Sequence, residues 1–153
     1  VRAHWQFNDL AAHNMAVPAM AQTAYQLHAR TPALQLAARK TEIPDLLRRG
    51  KTALWLPLEL RRDKPDGRTS WDATSDTIAL DLAKHLNAEQ LVLVKSCTID
   101  PQMTLNELGD AGVVDQQFAE RSGDAAFPIT LLHKNQLATM RALLLGEATF
   151  APR

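Results

Sequence analysis

The stretch Ser70-Trp71-Asp72-Ala73-Thr74-Ser75-Asp76-Thr77-Ile78-Ala79-Leu80-Asp81-Leu82-Ala83-Lys84-His85-Leu86, followed after a short gap by Leu91-Val92-Leu93-Val94-Lys95-Ser96, decides how the chain is read. Its first seven residues are polar and acid-bearing, as a loop is. From Thr77 the apolar positions recur at helical spacing, and Leu91 to Val94 form a short apolar run of strand length. The unit is therefore a loop, an amphipathic helix and a buried strand that delivers Lys95 at its end.

Outward from this unit the same alternation continues. Residues 8–30 have helical character, with Asn8 or Asp9 as cap and Leu10, Met15, Met20, Ala24 and Leu27 as the apolar stripe. Pro18 should kink or divide that helix, and Pro32 ends it. Residues 34–38 can be a short strand. Residues 41–49 form a short helix with Thr41 as cap, Pro44 in the first turn and Gly50 as the stop. Residues 52–56, closed by Pro57, make a run suited to a strand buried on both faces. The charged segment 58–69 carries the turn signal Pro65-Asp66-Gly67 and reads as an exposed loop or lid.

On the other side, Thr104-x-x-Glu107 is a capping box. Residues 113–121 read as a helix ended by Ser122-Gly123, and 129–132 as a strand. Residues 135–145 read as a helix capped by Asn135, with Leu137, Met140 and Leu144 as its apolar side and Gly146 as its end. Residues 148–151 can be a last edge strand. Alternating helices and strands predict an α/β fold with parallel strands and right-handed crossovers. One domain over 1–153 is expected, large enough to bury about 70% of the chain's surface on folding.

Composition excludes several classes. Seventeen basic residues balance seventeen acidic ones, so no net field draws nucleic acid or an anionic membrane. No apolar run approaches a membrane span, and no signal peptide is visible. The single cysteine, Cys97, can form no intrachain disulfide and is read as a small packed thiol. A cytoplasmic protein is expected. The five histidines have no zinc-ligand spacing, and no metal site is expected from them. Phosphate-cradling and nucleophile-elbow motifs are absent.

In an open α/β sheet, ligands sit beyond the carboxyl ends of the strands. That directs attention to loops 57–76, 95–104 and 133–135. Spacing alone leaves Asp72 and Asp76 with two readings. They are an ordinary acidic helix start, favoured by the helix dipole, or two carboxylates that meet a cation such as Mg²⁺, a lysine ammonium or a substrate amine. Lys95 is likewise a snorkelling surface lysine or a group that neutralises phosphate charge. Asp100 and Lys134 lie on the same predicted rim.

Beyond these readings, the motif from Ser70 to Ala79 running on to Leu91 to Ser96 resembles the amino acid kinase superfamily. The closest branch is the one that phosphorylates an aminomethyl-furan phosphate in methanofuran-type cofactor synthesis. Val1-Arg2 with Ala12-His13-Asn14-Met15-Ala16, Trp55-Leu56-Pro57, Gly112-Val113-Val114-Asp115, and Leu132-His133-Lys134-Asn135 through Leu145-Gly146-Glu147 add to the resemblance. It implies a three-layer α/β/α sandwich with a mainly parallel sheet, incomplete at its N-terminus. It implies ATP and Mg²⁺ as cofactors and a small-molecule phosphate acceptor. Asp76 would organise the active site, Asp72, Thr74 and Ser75 would lie on the acceptor side, and Lys95, Ser96, Asp100 and Lys134 on the nucleotide side. The superfamily's two glycine-rich phosphate turns are not in this sequence. Where relatives often have Val-Asp-Gly, this chain has Thr98-Ile99-Asp100-Pro101, and Ala148 stands where many have glycine. A homo-oligomer, or a chain supplying the N-terminal part, is expected as partner. The competing expectation is a non-catalytic structural or small-molecule-binding subunit that keeps the fold and pairs with an active homologue.

Overall fold

The computed structural model describes residues 8–65 and 74–147. They belong to two compact units that divide between Trp71 and Asp72. Both units are α/β.

The first unit begins with α1 (Asp9–Arg30). Asn8 caps it: its Oδ1 accepts from the Ala11 amide at 2.8 Å. Pro18 lies inside this helix without dividing it. The buried face is Ala12, Val17, Ala21 and Ala24, whereas Met15 and Leu27 are about half exposed. The expected stripe is thus corrected at Met15 and Leu27, while Ala24 is buried as expected. Ala21 and Ala24 pack with Leu56, Leu36 and Leu54, and small side chains allow the close approach. Two three-residue strands, β1 (Gln35–Ala37) and β2 (Ala53–Trp55), pair in parallel with Leu36 opposite Leu54.

Between the strands, a 3₁₀ turn at Lys40–Glu42 leads into α2 (Ile43–Arg48). Thr41 is inside that turn and is not the cap. Glu42 does the capping work, accepting from the amides of Ala38 at 2.9 Å and Arg39 at 3.4 Å. Gly50 ends α2 as expected. Its φ is +67°, and the amides of Gly50 and Lys51 return to the carbonyls of Leu47 and Leu46. After β2, Asn14 grips Arg62 from both sides: Nδ2 donates to its carbonyl at 2.7 Å and Oδ1 accepts from its amide at 2.9 Å. His13 bonds the Leu60 carbonyl at 2.8 Å.

The second unit contains α3 (Ser75–His85), β3 (Leu91–Lys95), α4 (Leu105–Asp110), α5 (Gln116–Ser122), β4 (Ile129–His133) and α6 (Leu137–Leu144). β3 and β4 are parallel, with Leu91 opposite Ile129 and Lys95 opposite His133. Leu93, Ile129 and Leu131 pack with Leu80, Leu108, Val114, Phe118 and Ala119, and Leu91 lies against this core. Phe118, Leu80 and Leu108 are fully buried. Each contributes about 2 kcal/mol from burial. Lys95 continues the alternation of Leu91 and Leu93, so it leaves the sheet on the core face.

Thr104 and Glu107 form the expected capping box at α4. The helix expected from residue 113 begins only at Gln116, because Asp115 is its cap. Asn135 is not the cap of α6: the N-cap position is Gln136, with no side-chain cap. The apolar side expected there is also corrected. Leu143 is buried, while Leu137 and Leu144 are each about 70% exposed. Among the described residues the strands form two parallel pairs, not one larger sheet. The proposed strand over 148–151 and the Asp66-Gly67 part of the turn signal lie outside the described residues.

Candidate functional site at the end of β3

The site is assembled where α3 begins and β3 ends. α3 runs back along the core before β3 returns, so the first turn of one helix meets the last residue of the strand. Asp76, in the first turn of α3, is 7% exposed. The Lys95 ammonium donates to Asp76 Oδ2 at 2.6 Å. The side chains of Lys95 and Asp76 are only 16% and 10% exposed. This is a largely desolvated ion pair, in which each charge depends on the other. The cation meeting Asp76 is therefore the chain's own lysine. Lys95 is not a snorkelling surface lysine.

The same Oδ2 accepts from the backbone amide of Asp115 at 3.2 Å. Asp115 is the residue that motif reading left without a role. Its Oδ2 accepts from the Thr74 amide at 2.9 Å, the Thr74 hydroxyl at 3.0 Å and the Thr77 amide at 3.0 Å. Its Oδ1 accepts from the Thr77 hydroxyl and, at 2.7 Å, from the Phe118 amide. One carboxylate thus caps α5 locally and α3 from about forty residues away in sequence. Thr74 occupies the N-cap position of α3, yet its side chain makes no cap bond and its hydroxyl donates to Asp115. Ser75 is inside the helix and exposed. The local cue for Asp115 was Asp115-x-x-Phe118, an acid three residues before a buried aromatic. Nothing local announces its reach to α3.

Burial works against ionisation of Asp115. The hydroxyl and amide of Thr77 and the amides of Thr74 and Phe118 together outweigh it and hold the carboxyl below the usual carboxylate range. The two helix starts also favour a negative charge there. Farther along, Arg121 pairs with Asp81, and the Lys84 ammonium donates to the Arg121 carbonyl at 2.7 Å and to Asp124. These contacts keep α3 and α5 together beyond the site.

The other expected site residues are less closely grouped. Lys134 is exposed, and its amide donates to the Lys95 carbonyl at 2.8 Å. Ser96 is exposed beside Lys95. Asp100 is exposed and accepts from the Gln102 amide at 2.9 Å, as a turn residue does. Cys97 is exposed, not packed. Asp72 lies outside the described residues. His133 stands opposite Lys95 on the neighbouring strand. Its Nδ1 accepts from the Asn135 amide at 3.3 Å.

A bound nucleotide requires donors for its phosphoryl oxygens. The Lys95 ammonium gives one proton to Asp76 and has two more, which suits a phosphoryl oxygen at the strand end. A magnesium ion requires about six oxygen ligands. Among the described residues, no three His, Cys, Asp or Glu side chains come together to hold a metal. The described residues therefore offer a phosphoryl oxygen one donor at the strand end, and among them no cluster of carboxylates builds a magnesium site. Comparison with protein-family models, with curated proteins and with solved structures gives no match. No helix among the described residues is long and apolar enough to cross a membrane.

Proposed function

We propose that this chain is an ATP-dependent small-molecule phosphotransferase of the amino acid kinase kind. In this reading it is a cytoplasmic enzyme with a three-layer α/β/α architecture. The acceptor is an aminomethyl-furan phosphate, a precursor of a one-carbon carrier. The observation that carries the reading is the buried Lys95–Asp76 pair at the carboxyl end of a parallel strand. Phosphoryl transfer requires positioning and charge neutralisation more than covalent chemistry, and a lysine oriented by a buried carboxylate can provide both.

ATP, when bound, supplies the transferable phosphoryl group. Lys95 would meet an oxygen of that group and stabilise the charge that develops as the acceptor oxygen attacks and ADP leaves. Asp76 would hold the ammonium in place by accepting its bond. Ser96 and Lys134, exposed beside Lys95, would flank the nucleotide. Asp72, Thr74 and Ser75 would face the acceptor, with Asp72 suited to its amine. One lysine does not make a full phosphate cradle, so a second copy or another chain would complete the site.

A specific observation favours a second reading, in which the chain is a non-catalytic subunit paired with an active homologue. Leu137, Leu144 and Leu145 on and after α6 are 57–70% exposed, as residues of an interface are before assembly. The deciding experiment follows ADP formation with ATP and the aminomethyl-furan phosphate. Asp76→Asn and Lys95→Met are each expected to lower turnover about 100-fold or more. Equal turnover by wild type and Asp76→Asn removes the role of Asp76. No ATP binding, by calorimetry on the wild type, removes the kinase reading and leaves the subunit reading.

A further inference from the structure

Asp115, whose carboxylate accepts five hydrogen bonds, has no part in the proposed chemistry. Its carboxylate takes bonds from three residues on two helices, Thr74 and Thr77 at α3 and Phe118 at α5. Its own amide donates to the Asp76 oxygen that receives Lys95. Holding α3 at Thr74 and Thr77 brackets Asp76, which lies between them. We propose that Asp115 is a positioning residue, which sets the Asp76 carboxylate against Lys95 by joining the starts of α3 and α5. The functional meaning rests on the reading of Asp76 and Lys95 as a transfer site, but the geometry is testable without turnover.

A purely local cap for α5 would need only the Phe118 bond. The four bonds from Thr74 and Thr77 add nothing to α5. They determine where Asp76 sits. Serine at position 115 separates the two roles. A serine hydroxyl is a good N-cap for its own helix. It is too short to serve two helices at once.

The experiment measures reductive methylation of Lys95 with formaldehyde and a borane, read by peptide mass spectrometry on the full chain. Paired with Asp76 and mostly buried, Lys95 reacts slowly in the wild type. Asp115→Ser is expected to speed its labelling at least about threefold, the factor that loss of one cap makes in a local opening equilibrium. Asp81→Asn is the control. It breaks the Arg121 link between the same two helices and leaves Asp115 alone, so it should not change Lys95 labelling. Thr77→Val removes one hydroxyl bond while keeping the side-chain shape, and it should give a smaller increase in the same direction. It serves as the deciding variant if Asp115→Ser does not fold. Unchanged Lys95 labelling in folded Asp115→Ser, or in Thr77→Val where that variant decides, overturns the proposal. So does an equal increase in Asp81→Asn. If the enzyme turns over, Asp115→Ser should lower kcat with KM nearly unchanged. If labelling behaves as expected and no turnover is found in any form, the positioning role stands and the kinase reading fails.

Discussion

Removing Asp76 alone should cost more than removing the Lys95–Asp76 pair whole, and the two single losses together should far exceed the loss in the double variant. Asp76→Asn leaves the Lys95 ammonium without an anion at a side chain only 16% exposed. Breaking a buried pair on one side costs about 3–5 kcal/mol, and the flexible lysine stem places this variant near 3. Lys95→Met leaves the Asp76 carboxylate, but the Asp115 amide at 3.2 Å and the dipole of α3 still support it. That variant should lose about 2 kcal/mol. Asp76→Asn with Lys95→Met strands no charge and should also lose only about 2 kcal/mol. The coupling energy is then about 3 kcal/mol, the upper end for residues in contact. Urea unfolding followed by far-ultraviolet circular dichroism measures it, with the midpoint interpreted only where the slope is unchanged. If the double variant loses the sum of the single losses, the two residues are not coupled, and the site described above is wrong. In the kinase reading, all three variants should also be inactive to a similar degree, because residues that act as a unit do not add.

Three further outcomes follow from other parts of the chain. Asp115 has a folded pKa below its unfolded value, so its stabilisation is complete above about pH 4 and is lost as pH falls through the folded value. Asp115→Asn should therefore show a smaller loss of thermal stability than wild type on acidification from pH 5 to 2, and parallel curves would refute this. Asn14→Ala removes both bonds that Asn14 makes to the Arg62 backbone and should lose about 1–2 kcal/mol. Trypsin should then cut faster after Arg61 or Arg62, and an unchanged rate would show that Asn14 does not hold this segment. At Gly109 an added Cβ would lie 2.9 Å from Ala119 Cβ, and both atoms are attached to helices that must move apart. Overpacking of about 1–3 kcal/mol outweighs the roughly 1 kcal/mol gained in helix propensity, so Gly109→Ala should destabilise and added Ala119→Gly should restore stability. Wild-type stability in Gly109→Ala would show that α4 and α5 do not approach this closely.

The sequence was legible where a signal is local. Thr104 and Glu107 cap α4 because their spacing alone satisfies two orphan amides. Gly50 and Gly146 end helices because each takes a positive φ that most residues resist. The parallel pairing of β3 with β4 follows from apolar runs separated by helical segments. It was not legible where neighbours decide. In α1 the stripe of Leu10, Met15, Met20, Ala24 and Leu27 suggested one buried face, but the buried residues are Ala12, Val17, Ala21 and, shared with that stripe, Ala24. Helical periodicity cannot choose between two apolar faces when the closer approach of small residues decides. Asp115 shows the same limit for capping: four of the five bonds to its carboxylate come from a helix start about forty residues earlier.

That long-range cap also changes the electrostatic account of the site. A helix start presents about half a positive charge through its unpaired amides, and this is one common way to hold a phosphate. Here the Thr74 and Thr77 amides at the start of α3, and the Phe118 amide at the start of α5, are already committed to Asp115. In the kinase reading, an anion at the end of β3 would meet the ammonium groups of Lys95 and of the neighbouring, exposed Lys134, and would share that of Lys95 with Asp76. This makes Asp76 both orienter and competitor. It holds the lysine in place, but it also reduces the net charge that attracts an anion. In the kinase reading such a pair would suit a group whose negative charge is brought by other binding contacts and increases locally as a bond is made, since the ammonium is already held in place by Asp76 when that charge appears.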